Sequence, residues 1–479
     1  MKQRFGLVGL VGLGVGMATL TACGASPSTS GAVRDPAAMG PTDAADYGAT
    51  ADAPMTSSPS NLRSEAGAAP AQAMATASPV AAAGGAMPSV ASPEGAPGGS
   101  YLSLASGMTS VKAGEWDDNA NYQDFTKYIR SQQSLGITNI DIFSRRFLVV
   151  EDASGQGVQS CRVKVSDAQQ QAVTVTTTAA GRAILFPHAL GLRGTRFTAS
   201  TDCLGGAAVS TSFDMSEPDG ETTLKLKASR PTINQPTIDV VFILDSTGSM
   251  SEEIQGVKDT MQAVIGKLDK RAKIRVGLVE YKDKGDDLVT KAYPMSTDLV
   301  GFSAEISGIE ASGGGDVPEN VNAGISVAVN QMQWSDKADA RLAFLIADAP
   351  PHLDYPDVPG YDKTAIEASK RGIKLYTVSA SGMDDLGQAV FRQLAQLTGG
   401  TNMFVLRGGA GSQSTGAGDA KSSCGGTHQN FSSGNLDDLI VHKIAVEIAS
   451  LRANPHQIAG LGQDEDAKAC ADRVQIVAE

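Results

Sequence analysis

The 479-residue sequence predicts an α/β fold, a doubly wound and mostly parallel sheet, preceded by a β-sandwich module and a disordered N-terminal tether. Three observations predict it. Residues 240–244 are a continuous apolar run, as expected of a strand buried on both faces. Beyond it, strand-like and helix-like patterns alternate as far as residue 451, the signature of a parallel sheet with helical crossovers. Before it, residues 137–228 hold seven short β-prone runs, most of them separated by Gly, Asp or Ser clusters.

The N-terminus reads first as an address. Lys2 and Arg4 precede an apolar, Gly-rich run over residues 5–18, which is too short to span a bilayer and has the shape of a secretory signal. It ends in Leu20-Thr21-Ala22-Cys23, which resembles the bacterial lipobox. The resemblance implies a lipoprotein signal peptide over residues 1–22, and acyl chains such as palmitate on Cys23. It also implies lipid anchorage in a bacterial cell envelope. Gly24 stands where an Asp would suggest inner-membrane retention in enteric bacteria, so the outer membrane is favoured over the inner.

Residues 23–110 form the tether. Ala, Gly, Ser and Pro dominate 24–100, and Tyr47 is the one aromatic there, so the stretch lacks the apolar surface to offset its ordering entropy. Residues 111–136 read as a short helical segment, with Tyr122, Phe125, Tyr128 and Ile129 at helix-like spacings. In the β-module, 137–230, the runs are 147–150, 161–165, 173–177, 183–186, 197–200, 208–213 and 223–226. Arg162-Val163-Lys164-Val165 and Thr223-Leu224-Lys225-Leu226 alternate as half-buried strands do. The segments RFLVVEDASGQGVQSCRVKVSD and TTTAAGRAILFP resemble carboxypeptidase-regulatory-like and other immunoglobulin-like modules, which implies a spacer or binding platform.

Pro231 and Pro236 mark a linker. Strands are then expected at 240–244, 274–279, 342–346, 375–378 and 403–406, and helices at 251–268, 319–331, 363–371, 386–397 and 436–451. A Gly/Ser-rich insert occupies 408–434, and 453–479 is a C-terminal tail. With Cys23 lipidated, Cys161, Cys203, Cys424 and Cys470 remain, an even number that suggests two disulfides in an exported protein. Three connectivities are possible; Cys161–Cys203 with Cys424–Cys470 is the simplest, since each pair stays within one region.

A net charge of -13 argues against a generic nucleic-acid binder, which would want a basic face. One constellation carries chemistry. The first buried strand ends in Asp245-Ser246-Thr247-Gly248-Ser249, and a helix follows. Ligands of doubly wound sheets bind at the carboxyl ends of strands, so three oxygen side chains two residues apart would meet one crevice. A carboxylate and two hydroxyls suit a hard divalent cation.

Here the chain, from Thr237 to Leu451, resembles the von Willebrand factor type A family. DSTGS matches its DxSxS metal-ion-dependent adhesion motif (MIDAS), with Thr for the first Ser. Gly313-Gly314-Gly315-Asp316-Val317-Pro318-Glu319 follows where many members have a GGT-type loop, and Gly315 takes the place of that loop's Thr. Asp316, adjacent, becomes the candidate ligand there. Ala347-Asp348-Ala349 ends a later strand where the family has an Asp. The resemblance implies a metal set of Asp245, Thr247, Ser249, Asp348 and Asp316. It implies Mg²⁺ before Mn²⁺ or Ca²⁺, and a protein partner whose acidic side chain completes the shell. His352 is expected as a plain loop residue, and Glu280-Tyr281-Lys282-Asp283 as a solvated strand end.

No HExxH, GxSxG or P-loop is present, so a binding protein rather than an enzyme is expected. Two rivals stand beside an adhesion or envelope-assembly lipoprotein. One is a structural factor whose metal only stabilises the domain. The other is a Mg²⁺-dependent hydrolase, for which only His352 or Asp316 offers a general base.

Overall fold

Strands apolar on both faces build the middle of one large sheet. The structure, a computed structural model, describes residues 111–268, 270–380, 382–410, 432–469 and 472–474. The expected signal peptide, Cys23, the tether, Cys424 and Cys470 lie outside the described residues.

The chain opens with β1 (Val111–Trp116) and α1 (Tyr122–Ser131). Seven strands follow: β2 (Arg146–Glu151), β3 (Arg162–Asp167), β4 (Ala172–Thr176), β5 (Arg182–Leu185), β6 (Arg196–Thr201), β7 (Val209–Asp214) and β8 (Glu221–Lys225). Then come β9 (Thr237–Asp245), α2 (Ile254–Lys267), β10 (Lys273–Tyr281), β11 (Thr290–Ser296), α3 (Leu299–Ser307), α4 (Val321–Asn330), β12 (Ala340–Ala347) and α5 (Tyr361–Lys370). The last elements are β13 (Ile373–Ser379), α6 (Asp385–Thr398), β14 (Asn402–Ala410), β15 (Ser432–Asn435) and α7 (Leu436–Ser450).

The large sheet has the order β11-β10-β9-β12-β13-β14-β1-β15. Its five central members, β10 to β14 in that order, run parallel, and β11, β1 and β15 add antiparallel edges. Alternation divides the buried residues of β9 between two layers. Val240, Phe242 and Leu244 face α2 and α7 through Val257, Met261, Ile440 and Ile444. Val241 and Ile243 face α4 and α6 through Ile325, Val390 and Leu394.

Some elements differ from the sequence expectation. Val111–Trp116 is a strand of the large sheet, so the segment 111–136 is not helical throughout; its register comes from pairing with β14 and β15, contacts that local pattern cannot show. Helix α1 covers the expected helical spacing within this segment, and its Tyr122, Phe125 and Ile129 pack into the same core as α4 and α6. The pair β11 and α3 follows no strong periodicity; β11 carries Pro294, which an edge strand tolerates.

In the β-module, β5-β2-β8 and β4-β3-β6-β7 form two sheets. Leu148, Val150, Val163, Val165, Phe197 and Leu224 fill the space between them. A disulfide joins Cys161 to Cys203, with Cα atoms 5.7 Å apart. The module is bound firmly to the α/β part. Buried Arg145 makes a two-bond ion pair with Asp219 (2.7 and 2.9 Å) and also donates to the carbonyls of Asn119 (2.9 Å) and Gly460 (3.1 Å). Thr176 donates to the Lys370 carbonyl at 2.7 Å. Among the described residues no helix is long and apolar enough to cross a membrane.

Candidate metal centre

The chain leaves β9 toward β10 on one side and later returns to β12 on the other, so strand order reverses beside β9. The carboxyl ends of β9 and β12 therefore open onto a crevice at a switch point. Asp245 is the last residue of β9, and Asp348 follows the last residue of β12. A 3-10 turn over Gly248–Glu252 leads into α2 and presents Ser249.

A chain of hydrogen bonds joins these groups. Thr247 donates its amide (2.9 Å) and its hydroxyl (2.7 Å) to Asp245 Oδ1, and Tyr281 donates to Asp245 Oδ2 at 3.2 Å. Ser249 donates to Asp348 Oδ1 at 3.0 Å, and the two hydroxyls lie 3.1 Å apart. Each hydroxyl has one proton, and both are committed to carboxylates, so their lone pairs remain available to a cation.

The glycine loop closes over this turn. Gly248 donates to the Gly313 carbonyl and Ser312 to the Ser246 carbonyl, both at 3.0 Å. Asp286 holds the loop by accepting from the Gly314 amide at 2.9 and 3.0 Å. Gly314 has φ +69°, and a Cβ there would lie 2.9 Å from Glu319 Oε1 and 3.3 Å from Thr247 Cβ. Glycine is required twice over: for the backbone, and to let Glu319 reach Thr247.

Glu319 is the residue that sequence reasoning missed. It is buried, and its Oε2 has no hydrogen-bond partner. Burial, with the charges of Asp245 and Asp283, pushes its carboxyl up to about 8. Burial likewise pushes Asp245 up to about 7, against its hydrogen bonds from Thr247, and raises Asp348. Burial that disfavours ionisation of all three carboxyls suits a site for positive charge. The donors are all oxygen, which fits a hard divalent cation.

Asp316 lies on the loop that leads from the glycines to Glu319. It is exposed, and it groups with Asp283 and His352, whose ligand atoms lie within 4.8 Å of one another. His352 and the end of β10 also depart from expectation. His352 is buried, as are Glu280, Lys282 and Asp283. Glu280 accepts from Ser246 (3.0 Å) and Tyr293 (2.9 Å), and Lys282 donates to Ser312 at 2.6 Å, so this strand end supports the crevice from below. Alternating Glu and Lys after an apolar strand gives no hint of that burial.

The fold and crevice define an α/β domain with a carboxylate and hydroxyl cluster at its switch point. Residues 239–411 match the profile of the von Willebrand factor type A domain, and the chain carries such a domain there. A putative ariadne-like RING finger protein R811 of Acanthamoeba polyphaga mimivirus is 29% identical over 120 residues, 25% of this chain and 12% of that protein. The alpha-protein kinase vwkA of Dictyostelium discoideum is 31% identical over 158 residues, 31% of this chain and 24% of that protein. The similarity thus spans less than a quarter of each relative. Among solved structures, a conserved hypothetical protein BatB from Bacteroides thetaiotaomicron is 14% identical, with 44% of this chain and 98% of that chain covered and a TM-score of 0.31. Proximal thread matrix protein 1 from the mussel byssus is 12% identical, with 34% and 40% covered and a TM-score of 0.28. A von Willebrand factor type A domain supports a metal-dependent protein-interaction role in general, and such domains commonly bind a divalent cation.

Proposed function

We propose that this protein is a membrane-anchored lipoprotein that binds a protein partner through a divalent cation held in the switch-point crevice. Asp245, Thr247, Ser249 and Asp348 hold the cation, with Glu319 beside them, and Mg²⁺ is the ion that an all-oxygen set suits best. The observation that carries this reading is Glu319 Oε2, a buried carboxylate oxygen without a partner, next to the raised carboxyl of Asp245. The bound cation supplies Lewis-acid charge; Thr247 and Ser249 add ligands without adding negative charge, which leaves the ion attractive to an acidic side chain of the partner. Cys23 supplies the lipid anchor, in the bacterial envelope and at the outer membrane before the inner. No nucleic acid is involved and no reaction is catalysed.

Glu319 favours a second reading. A third carboxylate at the ion lowers its electrophilicity, and a shell closed by Glu319 would make the metal a structural staple. One pull-down from envelope extracts separates the two, using wild type and Asp245→Ala, each with and without EDTA. Partners lost in all but the untreated wild type support metal-dependent recognition. The same partners in all four conditions overturn it.

A further inference from the structure

A second cluster lies near Glu319, beside the crevice. The His352 amide donates to the Glu319 carbonyl at 3.0 Å, so the two residues are held together by their backbones. The Glu319 side chain meets Thr247 while also feeling the Asp283 charge, and the His352 ring stands beside Asp283. His352 Nε2 is buried, lacks a hydrogen-bond partner and stands 3.8 Å from Asp283 Oδ2. That distance is too long for a hydrogen bond. It is within the span that one ion ~2 Å from each atom can bridge.

The imidazole is set up as a ligand. Its Nδ1 lies 2.9 Å from Asp354 Oδ1. An ionised carboxylate only accepts, so Nδ1 carries the proton, and in the neutral ring Nε2 offers its lone pair. A carboxylate behind a histidine is the usual support for a metal-bound imidazole. Tyr355 fixes the other side: it donates to both oxygens of Asp283 at 3.0 Å and stacks on His352 with centroids 3.9 Å apart. Asp316 is the exposed third arm, with a carboxylate oxygen within 4.8 Å of the other two ligand atoms.

We propose that Asp283, Asp316 and His352 form a second site, separate from the switch-point crevice, for a divalent transition-metal ion of the Zn²⁺ class. One imidazole and two carboxylates are a softer set than the oxygen-only crevice, and imidazole suits Zn²⁺ where Mg²⁺ keeps to oxygen. The protein therefore sorts two ions between neighbouring loops by donor chemistry.

The test is Zn²⁺ binding to the metal-stripped full chain in millimolar Mg²⁺, by competition with a chromophoric chelator. Asp245→Ala should keep the tight Zn²⁺. Asp316→Asn and Asp354→Ala should weaken it by ~10-fold or more, the scale on which supporting carboxylates tune metal sites. Asp316 and Asp354 are both exposed, so a lost fold cannot produce that result. His352→Gln should weaken it further. Bound Co²⁺ should show a visible spectrum without the intense near-ultraviolet band of thiolate ligation. Unchanged affinity in Asp316→Asn and Asp354→Ala, loss of Zn²⁺ in Asp245→Ala, or a thiolate band would each overturn the proposal. Because Asp245→Ala removes the crevice alone, failure here is distinguishable from failure of the adhesion reading.

Discussion

Replacing Glu319 by Gln should stabilise the cation-free protein while weakening its hold on the cation. In the metal-free state the Glu319 carboxyl stands at about 8 against an ordinary 4.5, because burial and the charge of Asp245 oppose ionisation. The sign follows from linkage. An acid with a raised folded value costs nothing below its unfolded value, costs more as pH rises between the two, and levels off above the folded one. At pH 7 the penalty covers about 2.5 pH units, roughly 3 kcal/mol at 1.36 kcal/mol per unit, and solvent entering the crevice lowers the measurable part to ~1–3 kcal/mol. At pH 5 it falls below ~1 kcal/mol. Urea unfolding of metal-stripped wild type and Glu319→Gln at pH 5, 7 and 8 reads this directly, with the variant's advantage growing with pH. Excess Mg²⁺ should then reverse the order. Saturation at 100 times Kd adds ~2.7 kcal/mol to the wild type. The variant should gain less, having lost one negative charge at the ion. Equal stabilities at all three pH values, or equal gains from Mg²⁺, would refute the reasoning.

Gly314→Ala forces a left-handed residue and drives a methyl toward Glu319 and Thr247, so unfolding should show a loss above ~1 kcal/mol and Mg²⁺ titration a weaker site. Changing both Cys161 and Cys203 to Ala opens a loop of sequence separation 42, worth ~4 kcal/mol by loop entropy, and the midpoint of denaturant unfolding should fall to that of the reduced wild type. His456 bridges Glu151 (3.1 Å) and Glu221 (3.2 Å) of the β-module, and the hydrogen bond to Glu151 leads the interactions that raise it above 6.5. Its stabilising effect is complete below pH 6.5 and lost as pH climbs through the raised value. Thermal unfolding of His456→Gln should thus fall short of wild type at pH 6 and match it at pH 8.5.

Much of the architecture was legible in the sequence, and the reason is burial pattern. All seven runs of the β-module and all five runs of the parallel sheet became strands, because alternation and continuous apolarity each report a defined environment. What escaped depends on partners remote in sequence. The residues Val-Lys-Ala-Gly-Glu-Trp of β1 carry no period of their own. Their strand exists because β14 and β15 offer open edges, from 286 to 323 residues away. Buried Arg392 similarly pairs with Asp118 at 2.5 and 2.9 Å across 274 positions, which ties the segment after β1 to α6.

The crevice was legible in part for the same reason. The positions of Asp245, Thr247, Ser249 and Asp348 follow from the ends of two buried strands, which local pattern locates. The loop between them is different, since it offers two carboxylates, Asp316 and Glu319, and adjacency to the glycines favours the first. The structure gives the two acids different surroundings. The Glu319 amide bonds to the Pro350 carbonyl and its own carbonyl accepts from His352, a short bridge that pins Glu319 to the end of β12 beside the crevice. Gly314, lacking a Cβ, leaves the gap through which its carboxylate meets Thr247. Asp316 has no such bond and stays at the exposed rim with Asp283 and His352. Which acid serves which cluster is thus decided by one backbone bridge and one missing methyl group. A Gly314→Ala protein that still bound Mg²⁺ with wild-type affinity would show that Glu319 is not positioned by that gap.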